Sequence, residues 1–242
     1  IHFLDRYLIN FFHGPEETGI YSAAYKPVML LYMTITAFNM TAIPAVTRRM
    51  RQEERQTLLH TTHALAFIGV LSGLAVFLCL FTNLFFKIRI GNTHLIPPEY
   101  WGALPVLPIL LSAYLAFGFY TVYALPFYPR EESIVLFKTV SVGAVINVLL
   151  NFLLVPPYRA TGAALATAAA FSAMALIIRK RGMKRGYHCL TDQSWLPPVG
   201  VSVFILVVTF FLPHMLLVFR LILLMFYLVV LGTTFLRVRN SR

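Results

Sequence analysis

The residue most in need of a chemical reason is Lys26. It lies in an apolar segment that opens GIYSAAYKPVML at Gly19 and runs on to Val46. Near a bilayer centre a charge costs about 2.5–3.5 kcal/mol on insertion scales, so a lysine there calls for a function. Placed at about 100° per residue, Ser22, Tyr25, Lys26, Met29, Tyr32, Met33, Thr36, Asn39 and Met40 fall in one arc of roughly 140°. The opposite face is mostly Ala, Val, Leu, Ile and Phe. A helix in lipid turns such a stripe toward protein or a water-filled cavity. Two readings follow. Lys26 either snorkels to the interface, about 10 Å away at 1.5 Å per residue, or faces a cavity and meets an anion. The continuation of the stripe to Asn39 favours the cavity. Pro27 lacks a backbone donor and is expected to kink the helix, freeing the carbonyl of Ala23.

Other polar residues sit in apolar surroundings. Asp5 and Arg6 are either a pair near a helix end or, in the second reading, Arg6 adds a cation to the same cavity. Asn147 and Asn151 are four apart and share a face, which suits hydrogen bonding between helices. Tyr114, Gly118 and Thr121 give a small, polar face suited to lining or close packing. Covalent chemistry has little support. HExxH, GxSxG and a phosphate-binding glycine loop are absent. The carboxylates Glu16–Glu17, Glu53–Glu54 and Glu131–Glu132 are sequence neighbours, which point apart on a helix and mark solvated loops. Cys79 lies in an apolar run and Cys189 in a basic loop, so neither a disulfide nor a thiolate metal site is expected. No catalytic residue, metal site or cofactor is assigned.

The elements that must position these residues follow from composition. Hydrophobic residues make up 59% of the chain and charged ones 12%, with mean hydropathy +0.75. A soluble domain is roughly half apolar and a quarter charged. The net charge of +11 comes from short basic runs between apolar segments, not from a patch interleaved with aromatics, which argues against nucleic acid. Seven complete spans are expected at 20–46, 59–86, 104–125, 134–155, 161–178, 197–217 and 219–236, and residues 1–12 read as the tail of an eighth. A short surface helix is expected at 48–56 and an external turn at 13–19. Alternate loops carry 14 of the 20 Lys and Arg residues, clustered at 48–55, 130–138, 179–185 and 237–242. By the positive-inside rule those loops and the C-terminus are cytoplasmic.

These segments resemble a known family. DRYLINFFHGPEETGIYSAAYK is similar to the start of the second half of polysaccharide (O-antigen type) flippases. These belong to the multidrug/oligosaccharidyl-lipid/polysaccharide exporter superfamily. YWGALPVLPILLSAYLAFGFYTV resembles the helix after that half's external loop, and VGAVINVLLNFLLVPPYRATGAALAT the paired helices joined by a proline-bearing turn. The resemblance covers about residues 5–180. Pro27 and the stretch 158–161 depart from the family pattern.

The resemblance implies an all-α, polytopic membrane helical bundle. Residues 1–178 would form the second six-helix lobe of a two-lobed flippase, with its first helix truncated. Residues 179–196 would be a basic cytoplasmic loop, and 197–242 two additional helices and a tail. It further implies a bacterial inner-membrane protein, with the missing N-terminal lobe as a partner beside membrane lipids. The cargo would be a lipid-linked oligosaccharide, an undecaprenyl-pyrophosphate-linked repeat unit. Lys26 and Arg6 would attract the diphosphate, while Tyr25, Tyr32 and Asn39 would contact sugars. The alternatives are a lipid II flippase, an ion-coupled drug exporter of the same superfamily, and a membrane glycosyltransferase or ligase. An ion-coupled exporter should favour buried carboxylates, and Asp5 is the sole acid in or near a span. A ligase should carry a large external loop with catalytic groups, and the 87–103 loop has one carboxylate, Glu99.

Overall fold

Long apolar runs, interrupted by proline, glycine and charge clusters, give this chain its helices. The computed structural model describes residues 2–50, 57–90, 93–94, 96–187, 196–212 and 217–240. The fold is an all-α bundle. The helical stretch His2–Met50 divides at Gly14 into α1 (2–13) and α2 (15–50). Then come α3 (Thr57–Lys87) and α4 (Val106–Ala124). Ser133–Lys184 divides at Arg159 into α5 (133–158) and α6 (160–184). The last two are α7 (Leu196–Phe211) and α8 (Leu217–Asn240). The loop after α3 holds a two-residue antiparallel ladder, Arg89–Ile90 with Thr93–His94, and a 3-10 turn at Pro98–Ala103. The C-terminal part of the expected 48–56 surface helix, 51–56, lies outside the described residues, as does Cys189; α2 itself runs to Met50.

Both divided stretches are hairpins. In a straight helix Asp5 and Tyr21 would stand about 24 Å apart; their side chains meet at 3.0 Å. Asn147 and Thr167 would be about 30 Å apart and meet at 3.3 Å. The first reversal occupies Gly14 alone, at φ 82°, ψ −176°, a conformation that glycine adopts without a Cβ clash. The expected external turn at 13–19 is therefore much shorter. Pro15 opens α2, where its missing N–H would be unpaired anyway, and Glu16 and Glu17 favour the positive helix start. The second reversal is at Arg159, φ 50°, just after Pro156–Pro157. The two turns sit side by side. His13 Nε2 donates to the Val155 carbonyl at 2.9 Å, and the Ala160 N–H donates to Glu17 Oε1 at 3.2 Å. The backbone keeps helical dihedrals through Pro27, and the reversal in this stretch is at Gly14.

Close approach of α5 and α6 needs small residues. A Cβ on Gly162 would lie 2.1 Å from the Leu154 carbonyl oxygen. Gly162, Ala163, Ala164, Ala166 and Thr167 are all buried, as the small-residue start of that span predicts. α4 is central and buried on most of its circumference, including Tyr114, Gly118 and Thr121, whose polar face packs and does not line an open surface. α7 and α8 dock on the outer side of α3. Tyr227 there lies 2.6 Å from Ser72 Oγ and donates to the Gly69 carbonyl at 3.0 Å, while Arg220 Nη1 donates to the Leu80 carbonyl at 2.5 Å.

At the opposite end from the hairpin turns, Glu132 joins the start of α5 to the segment after α6. It accepts a hydrogen bond from Tyr187 and pairs with Arg185 at 3.1 Å. The Arg130 guanidinium lies 4.1 Å from the Tyr187 ring centre. Partial burial, then the bond to Glu132, pushes the Tyr187 phenol above its ordinary range. A group raised on folding stabilises below its unfolded value, near pH 10, and loses that stabilisation as pH rises through the folded value.

Gly162→Ala should lower the thermal unfolding midpoint in detergent, by about 1–3 kcal/mol of stability through overpacking. Gly232→Ala, where a Cβ meets nothing within 4 Å, should raise it by up to about 1 kcal/mol. Tyr187→Phe should lower stability by about 1 kcal/mol, but only below the alkaline range. A loss independent of pH would show that the phenol proton is not what the clasp uses.

Candidate functional site

Among the described residues, five helical stretches are long and apolar enough to cross a membrane: Phe3–Arg48, His63–Lys87, Val106–Phe127, Ser133–Lys184 and Leu217–Thr234. Two of these are hairpins, so each crosses twice if it crosses at all. α7 is apolar but only 16 residues, shorter than the 197–217 span expected from sequence, whose end falls partly outside the described residues. The architecture is compatible with a multi-pass membrane protein.

Inside it lies a fully buried carboxylate. Asp5 has no exposed surface. Its Oδ2 accepts from Tyr21 at 3.0 Å and from Thr167 at 2.7 Å, and its Oδ1 accepts from Asn151 Nδ2 at 2.8 Å. Asn147 Nδ2 donates in turn to Thr167 Oγ1 at 3.3 Å. The donors come from α2, α5 and α6, so both hairpins converge on one side chain of α1. Sequence spacing explains this in part: Asn147 and Asn151 share a face of α5, and Thr167 ends the small-residue run that lets α6 come close. Asp5 and Arg6 do not pair with each other. Adjacent on α1, they point apart.

Burying a carboxylate is expensive unless its charge is balanced or its hydrogen bonds are complete. Here the hydrogen bonds are present, and two acceptors are left over. Asn147 Oδ1 and Asn151 Oδ1 are buried with no hydrogen-bond partner. The groups turned to Asp5 are donors, the Asn151 amide nitrogen among them, and the two amide oxygens stand as spare buried acceptors beside a donor-held carboxylate. Among the described residues no three His, Cys, Asp or Glu side chains gather in a way that would suit a softer metal.

The polar stripe of α2 starts beside this cluster, and Tyr25 lies one helical turn beyond Tyr21. Tyr21 stacks on Tyr25, with ring centres 6.5 Å apart, and Arg6 lies over the Tyr25 ring at 5.0 Å. Tyr25 Oη and Tyr114 Oη are 2.6 Å apart, and Tyr32 meets the Tyr114 ring edge-on at 6.4 Å. Of the predicted site residues, Arg6, Tyr25 and Tyr32 are thus brought together around Tyr114. Lys26 and Asn39 are not part of that group. Lys26 is exposed and Asn39 half-buried, on a face where Met29, Met33 and Met40 are also exposed. Within this chain the stripe faces outward; only its Tyr25 edge is enclosed.

Sequence reading missed Tyr21 and Thr167 as partners of Asp5. The signal was the hairpin geometry: two reversals, at Gly14 and Arg159, bring positions 16 and 20 apart into contact. No protein-family model and no curated protein matches the chain.

Removing the Thr167 hydroxyl should be costly because its neighbour is a buried carboxylate. Thr167→Val is expected to lose about 2 kcal/mol in detergent thermal unfolding, while Thr167→Ser keeps most of it. Equal tolerance of both would show that Asp5 does not depend on that donor.

Proposed function

We propose that this chain forms one lobe of a flippase for a lipid-linked oligosaccharide, working by alternating access. What carries the reading is a single feature: an exposed, cation-bearing polar stripe along an otherwise apolar helix, joined through Tyr21 and Tyr25 to a buried carboxylate. α2 starts at residue 15, so Lys26 stands about 16 Å along it, farther from the helix start than the sequence suggested. That supports a cavity role over snorkelling. An outward stripe suits a partner lobe across a shared hydrated cavity. A diphosphate-linked sugar chain cannot enter hydrocarbon unaided, since its polar groups would go unsatisfied. Lys26 and Arg6 would attract the diphosphate, and Tyr25, Tyr32 and Asn39 would contact sugars. The prenyl tail would stay in lipid, and rocking of the lobes would switch access. The resemblance of residues 5–180 supports the same reading, with an undecaprenyl-pyrophosphate carrier, a bacterial inner membrane and a cytoplasmic C-terminus.

A second element has its own observation. The burial of Asp5 beside two unpartnered amide oxygens favours ion coupling, which the lone acid in the sequence had argued against. Asp5, Asn147, Asn151 and Thr167 would hold the ion, and its chemistry would be charge balance for Asp5. Coupling of this kind suits the flippase, a lipid II flippase and a drug exporter alike. The cationic stripe favours an anionic cargo and so the first two. A ligase or glycosyltransferase gains no support from the site.

In the full protein, Lys26→Ala should cut polymer export about ten-fold, the scale of one charge-assisted contact, with normal membrane insertion. Lys26→Arg should keep most export. Unchanged export in the alanine variant would remove Lys26 from the cargo path.

A further inference from the structure

Away from the Asp5 cluster, at the end of the bundle that carries the basic runs, α2 and α3 leave a groove of about 510 Å³ between them. Ala42, Ala45 and Val46 of α2 face Ala66, Phe67 and Val70 of α3. Phe38 and Phe67 stack at 3.9 Å and form its floor. The hydroxyls that reach it are already used: Thr34 donates to the Leu30 carbonyl at 2.9 Å, and Thr41 to the Phe38 carbonyl at 3.0 Å. The walls therefore offer a ligand hydrocarbon and almost nothing else. The volume is that of one long hydrocarbon chain: a methylene fills about as much space as a liquid water, roughly 30 Å³, so on the order of 15 would fit.

The mouth is different. Arg48 is exposed one turn beyond Ala45, and His63 is exposed on the opposite wall. The sequence run that begins at Arg48, 48–55, carries four arginines against Glu53 and Glu54 and is net positive. Surrounding bilayer lipid offers every apolar face the same hydrocarbon, so the groove gains selectivity only from this charge. We infer that the groove holds one acyl chain of an anionic phospholipid, with its phosphate at Arg48 and His63. This rests on the chain lying in a membrane and is independent of the cargo.

The test uses the full protein in phosphatidylcholine vesicles, doped with phosphatidylglycerol or phosphatidylcholine carrying a photoreactive acyl chain. The anionic probe should label the 42–45 and 66–70 segments more strongly than the zwitterionic one. Arg48→Gln, a surface change, should lower that labelling about five-fold, the effect of one interfacial arginine. Ala45→Trp should abolish it while the exposed Val203–Phe204 face of α7 still labels as before. Equal labelling by both probes, or groove labelling that survives Ala45→Trp, would overturn the assignment. So would an unlabelled groove beside a labelled α7, which would mean that protein covers it. Transport is not read, so failure here leaves the flippase reading standing, and the reverse.

Discussion

The arrangement of the first, second, fifth and sixth helices depends on one buried carboxylate. Asp5 has no exposed surface and is held by Tyr21, Asn151 and Thr167, one donor from each of three other helices. Apolar packing alone is non-directional and tolerates sliding. A buried carboxylate does not, since losing one donor leaves a stranded charge. The reversals at Gly14 and Arg159 place the donors, and the glycine and alanines at the start of α6 let Thr167 come within reach. Local backbone chemistry, small-residue packing and polar satisfaction all converge on that one side chain.

The same side chain links packing to the proposed activity. Tyr21 touches Asp5 through its hydroxyl and Tyr25 through its ring, and Tyr25 carries Arg6 on its face and meets Tyr114 through its hydroxyl. A change in charge at Asp5 would thus be felt at the inner edge of the polar stripe. Hydrogen bonds in such a chain polarise one another at low dielectric, so its members do not act independently. On the proposed reading the buried carboxylate and the Tyr25 edge of the stripe act as one device.

Much of the fold was legible in the sequence. Seven complete spans and the tail of an eighth correspond to the eight helices among the described residues, because apolar length reports burial or lipid directly. Asn147 and Asn151 do hydrogen-bond between helices, as their spacing predicts. The misses have physical causes. The sharp reversal came at Gly14, where a Pro and two acids start the next helix immediately, so the turn expected over 13–19 shrinks to one residue. Of the two readings of Asp5 and Arg6, pairing does not occur, because neighbours on a helix face different ways: Asp5 turns to Tyr21 and Arg6 to the Tyr25 ring. Tyr21 and Thr167 could not be joined to Asp5 without the two hairpins, since contact across a reversal leaves no periodic trace. The stripe on α2 was legible as a stripe; that it lies open within this chain was not, because periodicity does not say what covers a face.

The most direct measurement is a double-mutant cycle in detergent unfolding, pairing Asp5→Leu with Tyr21→Phe. If the carboxylate is what requires its donors, Tyr21→Phe costs stability beside Asp5 and almost none beside Leu, giving a coupling of about 1–3 kcal/mol. Additive losses would mean that the tyrosine and the carboxylate act separately, and that the helices are held by apolar packing instead.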